Sequence, residues 1–204
     1  VIVLADHGDG MGSHRMVTKQ VSFYEEMTNV PFIIAGPGIH PRQKPVEDLL
    51  TQPTIDLLPT LCELAGIPVP SSKPGISLAP FLKGEKQKRQ HPYAASEWHS
   101  EYEVTVSPGR MIRSPRYKYT HYLEGNGEEL YDMLKDKGER RNLAHDPKYS
   151  KILAEHRALL DDYIRRTQDD YRSLKVEADK RWRSHAPGYP NHEGPCARDI
   201  INRK

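Results

Sequence analysis

Val1-Ile2-Val3-Leu4-Ala5-Asp6-His7-Gly8-Asp9-Gly10-Met11-Gly12-Ser13-His14 opens the chain, and the change of character inside this stretch decides the architecture. Four consecutive apolar residues followed by a polar, glycine-rich segment running to Gln20 read as a buried parallel strand that feeds a loop. Loops at the carboxyl ends of parallel strands are where α/β folds place ligands. Asp6 and His7 stand directly after the strand, and Gly8 lets the backbone turn sharply. Adjacent side chains there can reach one point once the backbone leaves the sheet. A carboxylate suits a hard cation such as calcium or magnesium, and an imidazole is more usual with zinc. Taken alone, Asp-His-Gly is also explained by ordinary turn hydrogen bonds.

Outward from this stretch, Val30-Pro31-Phe32-Ile33-Ile34-Ala35 reads as a second strand, stopped by Gly36-Pro37-Gly38. Tyr24-Glu25-Glu26 starts a short helix between loop and strand. A helix is expected over 54–65, with Ile55, Leu58, Leu61, Cys62 and Ala65 on one face, Gly66 at its end and Pro59 awkwardly inside. Residues 69–80 form a proline- and serine-rich connector, and a short helix ends at Leu82. From Tyr93 the pattern changes to short strands at 93–97, 110–113, 118–122 and 129–132, separated by turns such as Ser114-Pro115-Arg116 and Gly125-Asn126-Gly127. A long helix beginning at Asp146-Pro147, with Ile152, Leu153, Leu159, Leu160 and Ile164 as its apolar stripe, should cover that sheet. The tail from about Arg183 reads as an extended arm.

The 204 residues allow one or two domains with a real core. A charged fraction of 28% with a net charge of only +2 argues against a nucleic-acid binder and against strong membrane attraction. No apolar run is long enough to span a bilayer. Cys62 and Cys196 are too few for a disulfide framework or a zinc cluster, and Cys62 reads as a small core residue. The opening strand would need sheet neighbours, and the chain starts without Met or a signal-peptide pattern, so a piece of a larger protein is the expectation.

The ordered set Asp6-His7-Gly8, Gly12-Ser13-His14, Lys19, Tyr24-Glu25-Glu26, Val30-Pro31-Phe32-Ile33-Ile34 and Gly36-Pro37-Gly38 resembles the sulfatase family of the alkaline-phosphatase superfamily. Pro53-Thr54-Ile55-Asp56-Leu57-Leu58-Pro59-Thr60-Leu61 resembles the family's helix after the metal loop. Met111-Ile112-Arg113, Tyr117-Lys118-Tyr119, Glu129-Leu130-Tyr131-Asp132 and Glu139-Arg140-Arg141-Asn142-Leu143 resemble its C-terminal subdomain. The resemblance covers about residues 1–165. It implies an α/β fold: the C-terminal part of an alkaline-phosphatase-like mixed sheet with flanking helices, plus a small antiparallel-sheet subdomain covered by a long helix. The divisions expected are 1–90 for the end of the catalytic domain, 91–182 for the subdomain and 183–204 for the tail.

The resemblance also implies a chemistry, in which an upstream formylglycine attacks the sulfur of a sulfate ester and calcium orients the nucleophile. Magnesium is the less favoured ion. Asp6 and His7 would be metal ligands, completed by carboxylates elsewhere, and Lys19 would bind the sulfate and help the leaving oxygen. His14 matches a frequent family histidine, as a proton donor or as a residue holding the loop. Asp9 reads as a carboxylate behind His7 or as a loop Asp. Tyr24-Glu25-Glu26 is expected to be structural rather than an acid/base pair. Trp98 and His99, with Glu101 and Tyr102, form an aromatic and polar cluster suited to a sugar or simply to packing.

The C/S-x-P/A-x-R signature of formylglycine does not occur in the chain. This segment by itself is therefore expected to hydrolyse no sulfate ester, its partners being a sulfated small molecule or carbohydrate and the N-terminal part of the same protein. The compartment stays open, with an exported parent the expectation. Two other readings stand beside the sulfatase: a phosphoester or phosphonate hydrolase of the same superfamily, and a non-catalytic glycan-binding module built around Trp98.

Overall fold

The computed structural model describes residues 1–16, 22–42, 44–46, 49–71, 74–86, 90–98, 108–123 and 127–174. The molecule has an α/β architecture with antiparallel sheets and one long helix. Strands β1 (Ile2–Leu4) and β2 (Phe32–Ile34) pair with each other, Leu4 opposite Phe32 and Ile2 opposite Ile34. They run antiparallel, not parallel as the opening run suggested, and β1 is exposed along its whole length, with Val3 48% exposed. An apolar run records a demand for burial but carries no information on strand direction.

Helix α1 (Glu25–Thr28) starts where Tyr24-Glu25-Glu26 placed it, and α2 (Pro53–Leu64) falls one residue from its expected bounds. Pro59 inside α2 leaves the Ile55 carbonyl without its helical donor. Gly75, at φ +112°, packs the connector against that same carbonyl, where a Cβ would lie 2.1 Å from the oxygen. Asp56 fixes the arrangement. Fully buried, it accepts from the Gln52 and Ile76 amides at 2.8 Å each and meets His91 Nε2 at 2.7 Å. Thr60 adds a second tie, donating to the Asp56 carbonyl and accepting from the Leu78 amide. Helix α3 (Ala79–Leu82) ends the connector at the expected residue.

The second sheet contains β3 (Ala94–Trp98), β4 (Gly109–Arg113), β5 (Tyr117–Tyr122) and β6 (Gly127–Asp132), in sequence order and antiparallel throughout. Register aligns Ala95, Ile112, Tyr119 and Leu130 across all four strands. With period-two alternation this row forms one face. It packs under α4 (Ser150–Thr167) through Leu153 and Leu160. Asp146 caps the one-turn 3-10 segment 147–149 by accepting from the Lys148 amide, and the helix follows directly. Past α4, Arg110 holds Asp169 with two bonds of 2.6 and 2.8 Å, and fully buried Tyr171 donates to the His121 carbonyl.

The opposite face carries Met111, Arg113, Lys118, Thr120 and Tyr131, and the segment around α1 covers it. Gly109 is the close approach: a Cβ there would fall 2.7 Å from the Phe23 ring. Both faces are thus occupied, α4 on one and the chain leading from the Asp6 loop on the other.

Replacing buried Asp56 with Ala strands two half-buried amides and an imidazole, so Asp56→Ala should lower the unfolding free energy by about 3–5 kcal/mol; a urea midpoint unchanged from wild type would refute this role.

His156 is buried, with Nδ1 2.8 Å from the Ile152 carbonyl and Nε2 2.9 Å from Ser114 Oγ. Burial holds its pKa below the ordinary 6.5, against a smaller upward pull from the Ile152 hydrogen bond. The unfolded chain therefore takes up the proton first. The stability that neutral His156 contributes is complete above pH 6.5 and declines as the pH falls below it. In His156→Gln the slope of unfolding free energy against pH should flatten in that window, by at most about 1.4 kcal/mol per pH unit.

Candidate active site

Asp6 and His7 lie two and three residues beyond the end of β1 and are both exposed. The Asp6 carboxylate accepts from the His7 amide at 2.9 Å through Oδ1, and its Oδ2 lies 3.7 Å from His7 Nε2. His7 Nδ1 is 2.8 Å from the Gly8 carbonyl. A carbonyl only accepts, so Nδ1 carries a proton in this contact, and in the neutral ring Nε2 is the nitrogen with the lone pair. Backbone engagement of the far ring nitrogen is the usual preparation of a metal-ligating histidine. The donor types fit a divalent cation, with one hard oxygen and one imidazole nitrogen side by side. Two donors are fewer than the six to eight oxygens that calcium generally takes. Among the described residues no group of three or more His, Cys, Asp or Glu converges on one point.

Behind this pair the backbone is tightly packed. The Gly8 amide donates to the Met27 carbonyl at 3.0 Å, and a Cβ on Gly8 would sit 1.7 Å from the Glu26 carbonyl oxygen. Gly10 is pressed equally hard, its absent Cβ falling 2.4 Å from the Met16 side chain. Residues 10–16 form a compact knot, closed by bonds from Ser13 to Gly10 and from Gly12 to Met16 of 2.7 Å each. Met11, His14 and Arg15 adopt positive φ of 44°, 49° and 60°, a conformation that costs residues with side chains of order 1–3 kcal/mol each. Asp9 serves the turn, accepting weakly from the Met11 amide at 3.3 Å.

His14 is enclosed. Its ring stacks face to face on Tyr24, centroids 3.7 Å apart and 1° from parallel, with Nε2 3.8 Å from Glu26 Oε2. Burial lowers its pKa below 6.5, and Glu26 pulls the other way more weakly, so the ring is neutral at neutral pH. Met16 completes the anchor in an apolar cluster with Tyr24, Met27, Tyr131 and Met133.

Glu25 and Glu26 face different partners. Glu26 faces His14, whereas Glu25 Oε1 lies 2.7 Å from Lys118 Nζ. Lys118 is fully buried and also contacts Glu139 Oε1 at 3.0 Å and the Phe23 carbonyl at 2.9 Å. Sequence reasoning gave Lys118 and Glu139 no role of their own. A lysine alternating with two tyrosines in a strand reads as solvent-facing, so the sequence carried no signal for it.

Trp98 ends β3 half-buried, its carbonyl accepting from Arg110 and its indole Nε1 buried without a partner among the described residues. Lys19, His99, Glu101, Tyr102, Cys196 and the tail lie outside the described residues. His91 and His121, unassigned from sequence, bond Asp56 and Tyr171. No helix among the described residues is long and apolar enough to cross a membrane.

Residues 12–166 match the family model described as N-sulphoglucosamine sulphohydrolase, C-terminal. The chain is 76% identical over its full length to a Delta 4,5-hexuronate-2-O-sulfatase of Bacteroides thetaiotaomicron, covering 42% of that protein. A solved structure described as a 2-O GAG sulfatase, also 76% identical, superposes with TM-score 0.86 over 98% of this chain and 43% of its own. A more distant one, 25% identical with TM-score 0.69 over 88% of this chain and 35% of its own, holds its substrate D-glucosamine-2-N,6-O-disulfate. The chain thus spans less than half the length of these relatives.

Because a Cβ on Gly8 collides with backbone and not with a yielding side chain, Gly8→Ala should displace the Asp6–His7 turn or α1. The variant is expected to lose at least about 2 kcal/mol of stability and to weaken any divalent-cation binding, both readable by calcium titration of its thermal midpoint.

Proposed function

The chain belongs to the sulfatase family, and from that premise we propose that the protein carrying it hydrolyses a 2-O-sulfate ester on an unsaturated uronate at the end of a glycosaminoglycan fragment. The observation that carries this reading is the 76% identity along the whole chain to a Delta 4,5-hexuronate-2-O-sulfatase. The Asp6–His7 pair, prepared as a ligand pair by the Gly8 carbonyl, supports it.

In this reading Asp6 and His7 hold a divalent cation, calcium in preference to magnesium, together with carboxylates from the rest of the protein. Bound there, the cation would draw charge from the sulfate oxygens. The nucleophile, a formylglycine, is placed outside these residues, since the chain has no C/S-x-P/A-x-R signature. Lys19 supplies a positive charge to the sulfate group and to the departing oxygen, which lowers the barrier as charge develops. His14, neutral and stacked on Tyr24, is assigned to holding the loop and not to donating a proton. Trp98 and His99 remain the candidates for contact with the sugar.

The rest of the same protein is the proposed cover for the bare apolar surface of β1 and α2, where Val3, Leu4, Leu58 and Leu61 are 41–48% exposed. Patches of this kind mark an interface.

The test uses the complete protein and a 2-O-sulfated unsaturated disaccharide. Lys19→Ala should reduce kcat/KM by about 10²–10³-fold, the scale set by losing one charge-stabilising donor. Chelation should abolish turnover, and calcium should restore it. Faster turnover of a phosphonate or phosphate diester than of the sulfate ester would overturn the assignment.

A further inference from the structure

Three separate contacts converge on the short stretch 23–28. From one side the site loop reaches it: the Gly8 amide bonds the Met27 carbonyl, the His14 ring lies on Tyr24, and Met16 packs beside Tyr24 and Met27. From the other side the second sheet reaches it through buried charge. Lys118 of β5 contacts Glu25 and the Phe23 carbonyl at 2.7 and 2.9 Å, and the Glu25 amide donates to Glu139 Oε2 at 2.7 Å. Glu139 in turn sits at φ +48°, beyond β6, with its carboxylate 3.0 Å from Lys118. Arg113 of β4 adds a weaker approach to Glu25 at 3.8 Å.

We infer that Lys118, Glu139, Glu25 and Tyr24 are positioning residues for the active site: the buried ion cluster fixes α1, and α1 fixes the Gly8 turn and the His14 ring. Their effect passes through two close contacts, the Gly8–Met27 bond and the His14–Tyr24 stack. The geometry makes the coupling stiff. With 1.7 Å between the Glu26 oxygen and a Cβ position on Gly8, α1 and the turn have no slack between them. An ion cluster suits this task better than an apolar contact, because a buried carboxylate that loses its partner is costly and the helix cannot slide.

This inference rests on the sulfatase reading only for its activity readout. The experiment compares Glu139→Ala, Glu139→Gln and Tyr24→Leu in the complete protein. Three quantities are measured: kcat and KM, calcium affinity by calorimetry, and the His14 ring-proton resonances in cation-free protein labelled at histidine. The stack on Tyr24 shifts those resonances upfield in wild type. In Glu139→Ala and in Tyr24→Leu the His14 signals should move toward free-histidine positions, and kcat and calcium affinity should each fall about tenfold, the scale for groups that orient a ligand. KM should stay within about twofold, since the substrate contacts are untouched. Glu139→Gln keeps the acceptor for the Glu25 amide and should recover most of the loss. If Glu139→Ala does not fold, Tyr24→Leu, which removes no buried charge, decides the matter.

Calcium affinity unchanged in a folded Tyr24→Leu protein would overturn the inference, whatever the activity. A lower thermal midpoint with wild-type kcat and calcium affinity would reduce the cluster to a structural role and overturn it equally. If wild type cleaves no sulfate ester while calcium affinity falls in both variants and the His14 signals move in Glu139→Ala, the proposed function fails and the positioning role stands.

Discussion

The charged contact between the α1 segment and the second sheet is centred on one buried ammonium group. Lys118 lies on the sheet face away from α4, fully buried, and its Nζ is met by two carboxylates and a backbone carbonyl. Removing such charges from water costs several kcal/mol per ion, and mutual attraction repays this only when the geometry is good. The strain is visible in the titration directions. Burial pushes the Glu139 carboxyl up, against the pull of Lys118, and pushes the Arg113 guanidinium down, against Glu25 and Glu139. Apolar side chains of similar volume would serve cohesion as well. What they would not do is fix the direction of Glu25, and with it the axis of α1.

The two faces of the second sheet therefore do different work. Under α4 the row Ala95, Ile112, Tyr119, Leu130 is a dry core, closed by Leu153 and Leu160, and it supplies cohesion. The other face is mixed: Met111 and Tyr131 pack, while Arg113 and Lys118 bond. A charged face beneath a four-residue helix is poor value for stability. It gains its meaning from the knot at residues 10–16, which sits on the far side of that helix and holds three non-glycine residues in left-handed conformations. Backbone strain persists only where the surroundings over-determine it. Met16, buried with Tyr24 and Tyr131, and the Tyr24–His14 stack provide that constraint.

Local pattern made much of this legible. The strands of the second sheet fall within one or two residues of their expected bounds, because Ser114-Pro115-Arg116 and its counterparts mark the turns and alternation marks the faces. The stripe from Ile152 to Ile164 gave α4, and Pro53 and Gly66 bracketed α2. The run Val1–Leu4 misled on the direction of pairing with β2, since apolarity does not encode a pairing partner. In the candidate site, the order of motifs pointed to Asp6 and His7, but the imidazole tautomer depends on the Gly8 carbonyl, a matter of geometry. Contacts such as Glu25–Glu139, separated by 114 residues, and Asp56–His91, separated by 35, leave no periodic trace at all. Lys118 shows the same limit: a strand lysine is ordinarily a solvent-facing residue, and only the placement of α1 reveals that its face is covered.

The exposed Asp6–His7 pair and the buried contacts behind it divide the structural work. Asp6 and His7 are exposed, and each is tied locally, the Asp6 carboxylate to the His7 amide and the His7 ring to the Gly8 carbonyl. Exposure leaves these side chains little constrained by packing. Precision must then come from the backbone that carries them, and it does: the Gly8 amide is bonded, its Cα is pressed against the Glu26 carbonyl, and the helix behind is locked by Lys118. A pair held this way is open to solvent while the backbone that carries it is fixed from behind by the contacts of α1.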